Sequence, residues 1–192
     1  MITGVLVVGI GGQGVMTAAE AIARAALEAG LEATKTEVSG MSQRGGVVCS
    51  QVRIGARIEA SEIRPGTASL LIAFEAAEGL RWSHFLAPHG CALVDSWRAV
   101  PPIVSSGAFS YPEEPAAAMR AAGADVLELD ARGIAQELGD VRLANSVMLG
   151  AAARRLPFPE QALRAQVLSR FGGGELAARN AAAFDAGRGL SR

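Results

Sequence analysis

Residues 9–15 read GIGGQGV and come directly after the apolar run GVLVVGI at 4–10. Gly9, Gly11 and Gly14 satisfy GxGxxG between a strand-like run and the start of a helical pattern. In that setting the spacing turns the backbone tightly, exposes amide N–H groups to an anion and puts a helix N-terminus behind it. Gly12 and Gln13 complete the turn, and a side chain at Gly12 is expected to clash. The motif suits a phosphate, but the same glycines also serve close packing of a helix on a strand. A dinucleotide enzyme further needs an acid about 20 residues on to hold the ribose, and Glu37 stands near that distance. A second polar cluster follows: Ser42, Gln43 and Arg44, then Gly45-Gly46. It holds a guanidinium and an amide on flexible backbone, suited to a phosphate or carboxylate of a ligand or a partner subunit. A solvated turn is the plainer alternative.

Other chemistry-bearing residues are sparse. His84 and His89 flank a helix end and a PHG turn, where exposed or capping histidines are ordinary. Lys35, the one lysine, and Tyr111 are too far apart in the pattern to form a Ser–Tyr–Lys arrangement, and no GxSxG elbow is present. Cys49 and Cys91 lack CxxC spacing and neighbouring histidines, so they read as buried free thiols rather than ligands of zinc or an iron–sulfur cluster. No catalytic residue and no metal ligand is assigned. Any catalysis involving this chain is expected to occur as part of something larger.

The elements that position these residues alternate between strand and helix. Val5, Leu6, Val7, Val8 and Ile10 predict a central strand covered on both faces. Val15, Ala19, Ile22 and Ala26 recur at helical spacing, and Gly30 closes that helix. A short strand is expected at 33–38. VVCSQVRI (47–54) then alternates, and Gly55-Ala56 predicts a two-residue turn into RIEAS, giving an antiparallel hairpin. SLLIAF (69–74), CALVDS (91–96) and ADVLEL (124–129) read as buried strands, with a helix near 75–86 and Asp130 capping the helix after the last. The C-terminal third is helical, with Leu163, Val167 and Phe171 on one stripe and Leu176, Asn180 and Phe184 on another; Asn180 needs a buried partner or an interface. The fold class is α/β, a Rossmann-like three-layer arrangement around a mostly parallel, mixed sheet. Ligands of such sheets gather beyond the carboxyl ends of the strands, where Gly9–Gly14, Glu37, Glu75 and Asp95 emerge.

Composition narrows the function classes. A chain of 192 residues, half of them hydrophobic but only 5% aromatic, is expected to form one domain over 1–192 whose alanine-rich core brings backbones close. A net charge of −1 argues against nucleic acid. No run approaches the ~18 apolar residues of a membrane span, and the N-terminus lacks the pattern of a signal peptide, so no membrane partner and a cytoplasmic location are expected.

The segments VGIGGQGV (8–15), TEVSGMSQRGGVVCSQVRIG (36–55), LLIAFEAAEGLR (70–81), ELGDVRLANSVMLGA (137–151) and LAARNAAAFDAG (176–187) are arranged as in a known family. The chain resembles the gamma subunit or domain of the 2-oxoacid:ferredoxin oxidoreductases, and specifically the small subunit of their indolepyruvate branch. SQRGG is closer to that branch than to the pyruvate branch, whose loop reads nearer PERRGAP. Two positions depart from the pattern: Ser39 replaces a frequent histidine, and Asp140 a common asparagine. The resemblance implies a subunit, inactive alone, of an enzyme that oxidatively decarboxylates a 2-oxoacid to an acyl-CoA. It places thiamine diphosphate and iron–sulfur clusters on a large (alpha) partner subunit, with ferredoxin as acceptor, and leaves this chain to complete the assembly and help hold coenzyme A. Gly9, Gly11, Gly12, Gln13 and Gly14 are then the anion-facing turn, and Ser42, Gln43 and Arg44 a neighbouring arm. A free-standing nucleotide or acyl-CoA binding module with the same cradle is the alternative.

Overall fold

The computed structural model describes residues 2–39, 46–99 and 110–191. Its strands are β1 (Thr3–Ile10), β2 (Glu32–Ser39), β3 (Val47–Gly55), β4 (Ala68–Ala73), β5 (Leu86–Asp95) and β6 (Asp125–Leu129). Among the described residues the helices are α1 (Val15–Glu28), α2 (Ala76–Trp82), α3 (Pro115–Ala121), α4 (Ala131–Glu137), α5 (Ala144–Ala152), α6 (Glu160–Ser169) and α7 (Gly174–Leu190). None of these is long and apolar enough to cross a membrane.

The strands form one mixed sheet in the order β2-β3-β1-β4-β5-β6. β1, β4, β5 and β6 run parallel, and β3 is antiparallel to both β1 and β2. Strand side chains alternate between faces. Val5 and Val7 therefore enter the core shared with α1, α5, α6 and α7, while Leu6 and Val8 enter the smaller core under α2 and α3. All four are fully buried, which is why β1 reads as an unbroken apolar run.

The antiparallel excursion is present, but its partners differ from the expected hairpin. β3 returns along β2 and inserts between β2 and β1; residues 57–67 form no strand. Side chains take the backbone groups of that connection instead. The Glu32 carboxylate accepts the Ile58 N–H at 2.7 Å, the Gln51 amide oxygen accepts the Ile63 N–H at 2.7 Å, and Arg53 donates to the Ala60 carbonyl at 2.6 Å. With these bonds made, the chain after Gly55 is held on the sheet without adding to it.

A core poor in aromatics is closed by backbone contact. A Cβ on Gly187 would lie 1.9 Å from the Val147 carbonyl oxygen, and one on Gly150 2.0 Å from that of Phe184, so α5 and α7 touch main chain to main chain. Beside that contact Asn180 finds its partner: its carbonyl oxygen accepts the Ser146 hydroxyl at 2.6 Å, and its NH₂ donates to the Leu176 carbonyl at 2.9 Å. The stripe expected to continue from Leu176 breaks, for Leu176 is exposed while Asn180, Ala183, Phe184 and Gly187 are buried. α5 has nine residues against the 17 of α7, so it cannot face the whole length of α7. Leu163 and Val167 are buried as expected, and Phe171 is half-buried.

Gly187→Ala forces a methyl group into a carbonyl and is expected to cost about 3 kcal/mol. Gly189→Ala, on the same helix with open space around it, is expected to lose nothing. Thermal denaturation of the two variants checks the contrast; equal melting temperatures would contradict the interlocked helix pair.

Candidate functional site

The glycine motif is shaped by what its neighbours require. Gly9 lies where a Cβ would come within 2.5 Å of the Gln13 Oε1 and 3.1 Å of the Phe74 Cβ, so the end of β1 passes close under both. The Gly11 N–H donates to the Gly46 carbonyl at 2.9 Å. Gly12 and Gly14 have φ of 98° and 79°, conformations that favour glycine. At Gly12 no atom lies within 4 Å of an added Cβ, so the expected clash does not occur and the requirement for glycine comes from the backbone itself. At Gly14 an added Cβ would fall 2.7 Å from the Asn145 Nδ2.

Gln13 folds back beneath the turn. Its Oε1 accepts the Ile10 N–H at 2.7 Å, and its Nε2 donates to the Phe74 carbonyl at 2.7 Å, tying the ends of β1 and β4. From α5 the Asn145 amide donates to the carbonyls of Gln13 and Gly14 at 3.2 and 3.0 Å. The Gln13 and Gly14 carbonyls thus point to protein. No side chain caps the α1 N-terminus, whose cap residue is Gly14. The first N–H groups of a helix have no partner within it and carry partial positive charge.

A cavity of about 440 Å³ opens there, lined by Gly12, Gln13, Gly14 and Thr17, by Phe74, Asp95 and Trp97 at the strand ends, and by Arg132, Arg142, Asn145 and Arg170. The Arg132 guanidinium lies 4.1 Å over the Trp97 ring, a stacking that leaves its N–H groups available. Arg142 is engaged by Asp140 at 2.6 Å, and this contact holds the Asp140 carboxyl down at about 2. Arg132 and Arg170 form no ion pair with any carboxylate among the described residues. Asp95 is the one acidic lining residue; burial pushes its carboxyl up to about 6, against the pull of the Trp97 N–H at 3.3 Å. The cavity is therefore electropositive and becomes more so as Asp95 protonates.

The strand ends do not all gather here. Glu37 is ion-paired to Lys35 at 2.8 Å. Because β3 separates β2 from β1, Glu37 sits two strand spacings, about 10 Å, from the β1 line, out of place for a ribose. Glu75 caps α2, accepting the Glu78 N–H at 2.8 Å and the Tyr111 hydroxyl. The His84 Nδ1 lies 2.9 Å from the Arg81 carbonyl, a capping role. Ser42, Gln43 and Arg44 lie outside the described residues. Cys49 and Cys91 belong to the cores on opposite faces of the sheet, and burial pushes their thiols up to about 12 and about 11. Among the described residues no group of three or more His, Cys, Asp or Glu is placed to hold a metal ion.

Sequence reasoning missed Trp97, Arg132, Asn145 and Arg170. Arg132 carried a usable signal: it lies in the first turn of α4 directly after the Asp130 cap, where the helix dipole disfavours a cation.

This chain belongs to the pyruvate ferredoxin/flavodoxin oxidoreductase family, whose model matches residues 4–190. The indolepyruvate oxidoreductase subunit IorB of Archaeoglobus fulgidus is 40% identical to it over 148 residues, covering 76% of this chain and 73% of that one. The subunit of the same name from Thermococcus kodakarensis is 35% identical over 159 residues, covering 81% and 78%. Among solved structures, a keto/oxoacid ferredoxin oxidoreductase gamma subunit from Geobacter sulfurreducens superposes with a TM-score of 0.72 at 25% identity, covering 98% of both chains. The 2-oxoglutarate:ferredoxin oxidoreductase of Magnetococcus marinus, solved with 2-oxoglutarate, coenzyme A and succinyl-CoA bound, shares the fold with a TM-score of 0.78 at 24% identity. This chain spans only 31% of that one while 99% of its own length is matched. These likenesses, with the displaced Glu37, disfavour a free-standing nucleotide-binding module.

Asp95 titrates higher folded than unfolded, so its ionisation opposes folding: the penalty is absent below about pH 4 and complete above about pH 6. Asp95→Asn is expected to raise stability at pH 7.5 by on the order of 2 kcal/mol and to change it little at pH 4. Melting curves at the two pH values check this; the same difference at both would contradict it.

Proposed function

We propose that this chain is the small, gamma-type subunit of an indolepyruvate-class 2-oxoacid:ferredoxin oxidoreductase, with residues 1–192 acting as one domain. Its own contribution is an electropositive wall for the phosphate-bearing end of coenzyme A. One observation carries the reading: a cavity that joins the uncapped α1 N-terminus to Arg132 and Arg170, which no carboxylate among the described residues neutralises. Backbone N–H groups and guanidinium forks suit a diphosphate.

Gly12 and Gly14 let the main chain approach the anion, while Gly9, Gly11 and Gln13 fix the turn that presents it. The Gly46 carbonyl is bonded to Gly11, which supports reading Ser42, Gln43 and Arg44 as an arm beside the ligand or the partner. The rate contribution is positioning and exclusion of water. Thiamine diphosphate and the iron–sulfur clusters fall to the large subunit, which passes electrons to ferredoxin. The two thiols here, raised and on opposite faces, do not fit a cluster. We assign the complex to the cytoplasm.

Arg170→Ala in the assembled enzyme is expected to raise the KM for coenzyme A about 10- to 100-fold, the worth of a charge-assisted hydrogen bond. Steady-state kinetics should show the KM for the 2-oxoacid and kcat within about twofold of wild type. An unchanged KM for coenzyme A in Arg170→Ala and in Arg132→Ala alike would refute the assignment.

A further inference from the structure

The sheet ends on one side at β6, a five-residue strand whose Asp125 and Glu128 lie 3.8 Å from Arg155 and Arg120. It ends on the other at β2, which pairs with β3 without interruption from Glu32 to Ser39. Among the described residues no strand pairs with the outer side of β2, which has neither proline nor bulge, two common guards of an open edge. Its charges do not guard it either: Lys35 lies 2.8 Å from Glu37 and 2.9 Å from Glu20 of α1, which also pairs with Arg24 at 2.7 Å, so the set is already neutralised.

Two independent features identify the occupant of that edge. First, the strand complements itself when reversed. With Thr36 opposite Thr36 of a second copy, Lys35 faces Glu37 and Thr34 faces Val38, each pair occurring twice about the axis. Opposite charges and β-branched residues directly across an antiparallel seam stabilise it. Second, Met16, Glu20, Ala23 and Leu27 share one face of α1 by their spacing of four, three and four residues. Glu20 on that face reaches Lys35, so the face looks across the edge. There Met16 is 49% exposed and Leu27 55%, while Val38, beside Cys49 on the opposite face of the sheet, is 48% exposed. α1 packs over β3 and β2. With strands about 4.8 Å apart, helices so placed on two joined sheets come within side-chain reach of each other.

We propose that two copies of this chain associate about a two-fold axis at Thr36, joining their β2 edges antiparallel into one continuous sheet and bringing their α1 faces together. The contact is isologous and closes at two copies. It uses none of the cavity residues and does not rest on the coenzyme A reading.

The native thiols are buried, so Thr36→Cys adds one accessible thiol at the axis. On mild oxidation of the full chain it is expected to give a covalent dimer reversed by reductant, which Thr36→Ser does not. Sedimentation equilibrium of the unmodified chain is expected to show a dimer. Glu37→Lys, which sets cations opposite each other across the seam, should weaken it at least tenfold, while Arg57→Ala, at an exposed site off the edge, should leave it unchanged. A monomer at about 0.1 mM, a dimer that neither cross-links through Thr36→Cys nor responds to Glu37→Lys, or a Thr36→Cys cross-link formed only to a large subunit, would each overturn the proposal.

Discussion

The structure depends on one side-chain amide. Gln13 donates to the Phe74 carbonyl just beyond β4 and accepts the N–H of Ile10, the last residue of β1, so the ends of two parallel strands are joined through one side chain. This bond pair sets the path of the whole turn. Gly9 must lack a side chain because the Gln13 amide lies where it would be, and Gly14 must adopt positive φ to start α1 beyond it. Asn145, more than a hundred residues away, then ties α5 to the Gln13 and Gly14 carbonyls. The Gly11 and Gln13 N–H groups are bonded to the Gly46 and Ile10 carbonyls, and the uncapped α1 N-terminus is what lies open to the cavity. On the proposed reading, the GxGxxG spacing serves as an anion cradle without the rest of a dinucleotide site.

Parts of this were legible in the sequence because they are local. The run at 5–8 specifies a doubly covered strand, Asp130 caps its helix by accepting the Gly133 N–H at 2.8 Å, and the periodicity from Val15 gives α1. Strand order was not legible, because pairing is chosen by distant segments. Nothing within TEVSG or VVCSQ shows that β3 lies between β2 and β1, yet that insertion is what removes Glu37 from the cradle. Gly55-Ala56 has the composition of a hairpin turn, but the side chains of Glu32 and Gln51 capture the backbone that would have formed the next strand. Leu176 has helical periodicity with Asn180 and Phe184 and is still exposed, since periodicity does not report how long the facing helix is. Arg132, Trp97 and Arg170 come from three separate segments and become a site only once the sheet and α6 are in place.

Electrostatics and chemistry point the same way. Buried thiols pushed far above neutrality are neither nucleophiles nor ligands. The buried carboxylate of Glu75 is occupied by the Ala99 N–H at 3.3 Å and by Tyr111, and holds the segments on either side of 100–109 against α2. At the mouth of the cavity, Arg132 and Arg170 are paired with no carboxylate among the described residues. A chain of this kind contributes affinity and geometry, and a core closed by glycine and alanine main-chain contacts keeps those groups fixed relative to one another.

The central claim is that redox and carbanion chemistry take place on a partner while this chain supplies a wall and a mating surface. Reconstitution tests it most directly: ferredoxin reduction driven by a 2-oxoacid and coenzyme A, followed with this chain alone, the large subunit alone, and the two together. The expected result is turnover in the mixture and none with this chain alone; turnover by this chain purified by itself would contradict the claim.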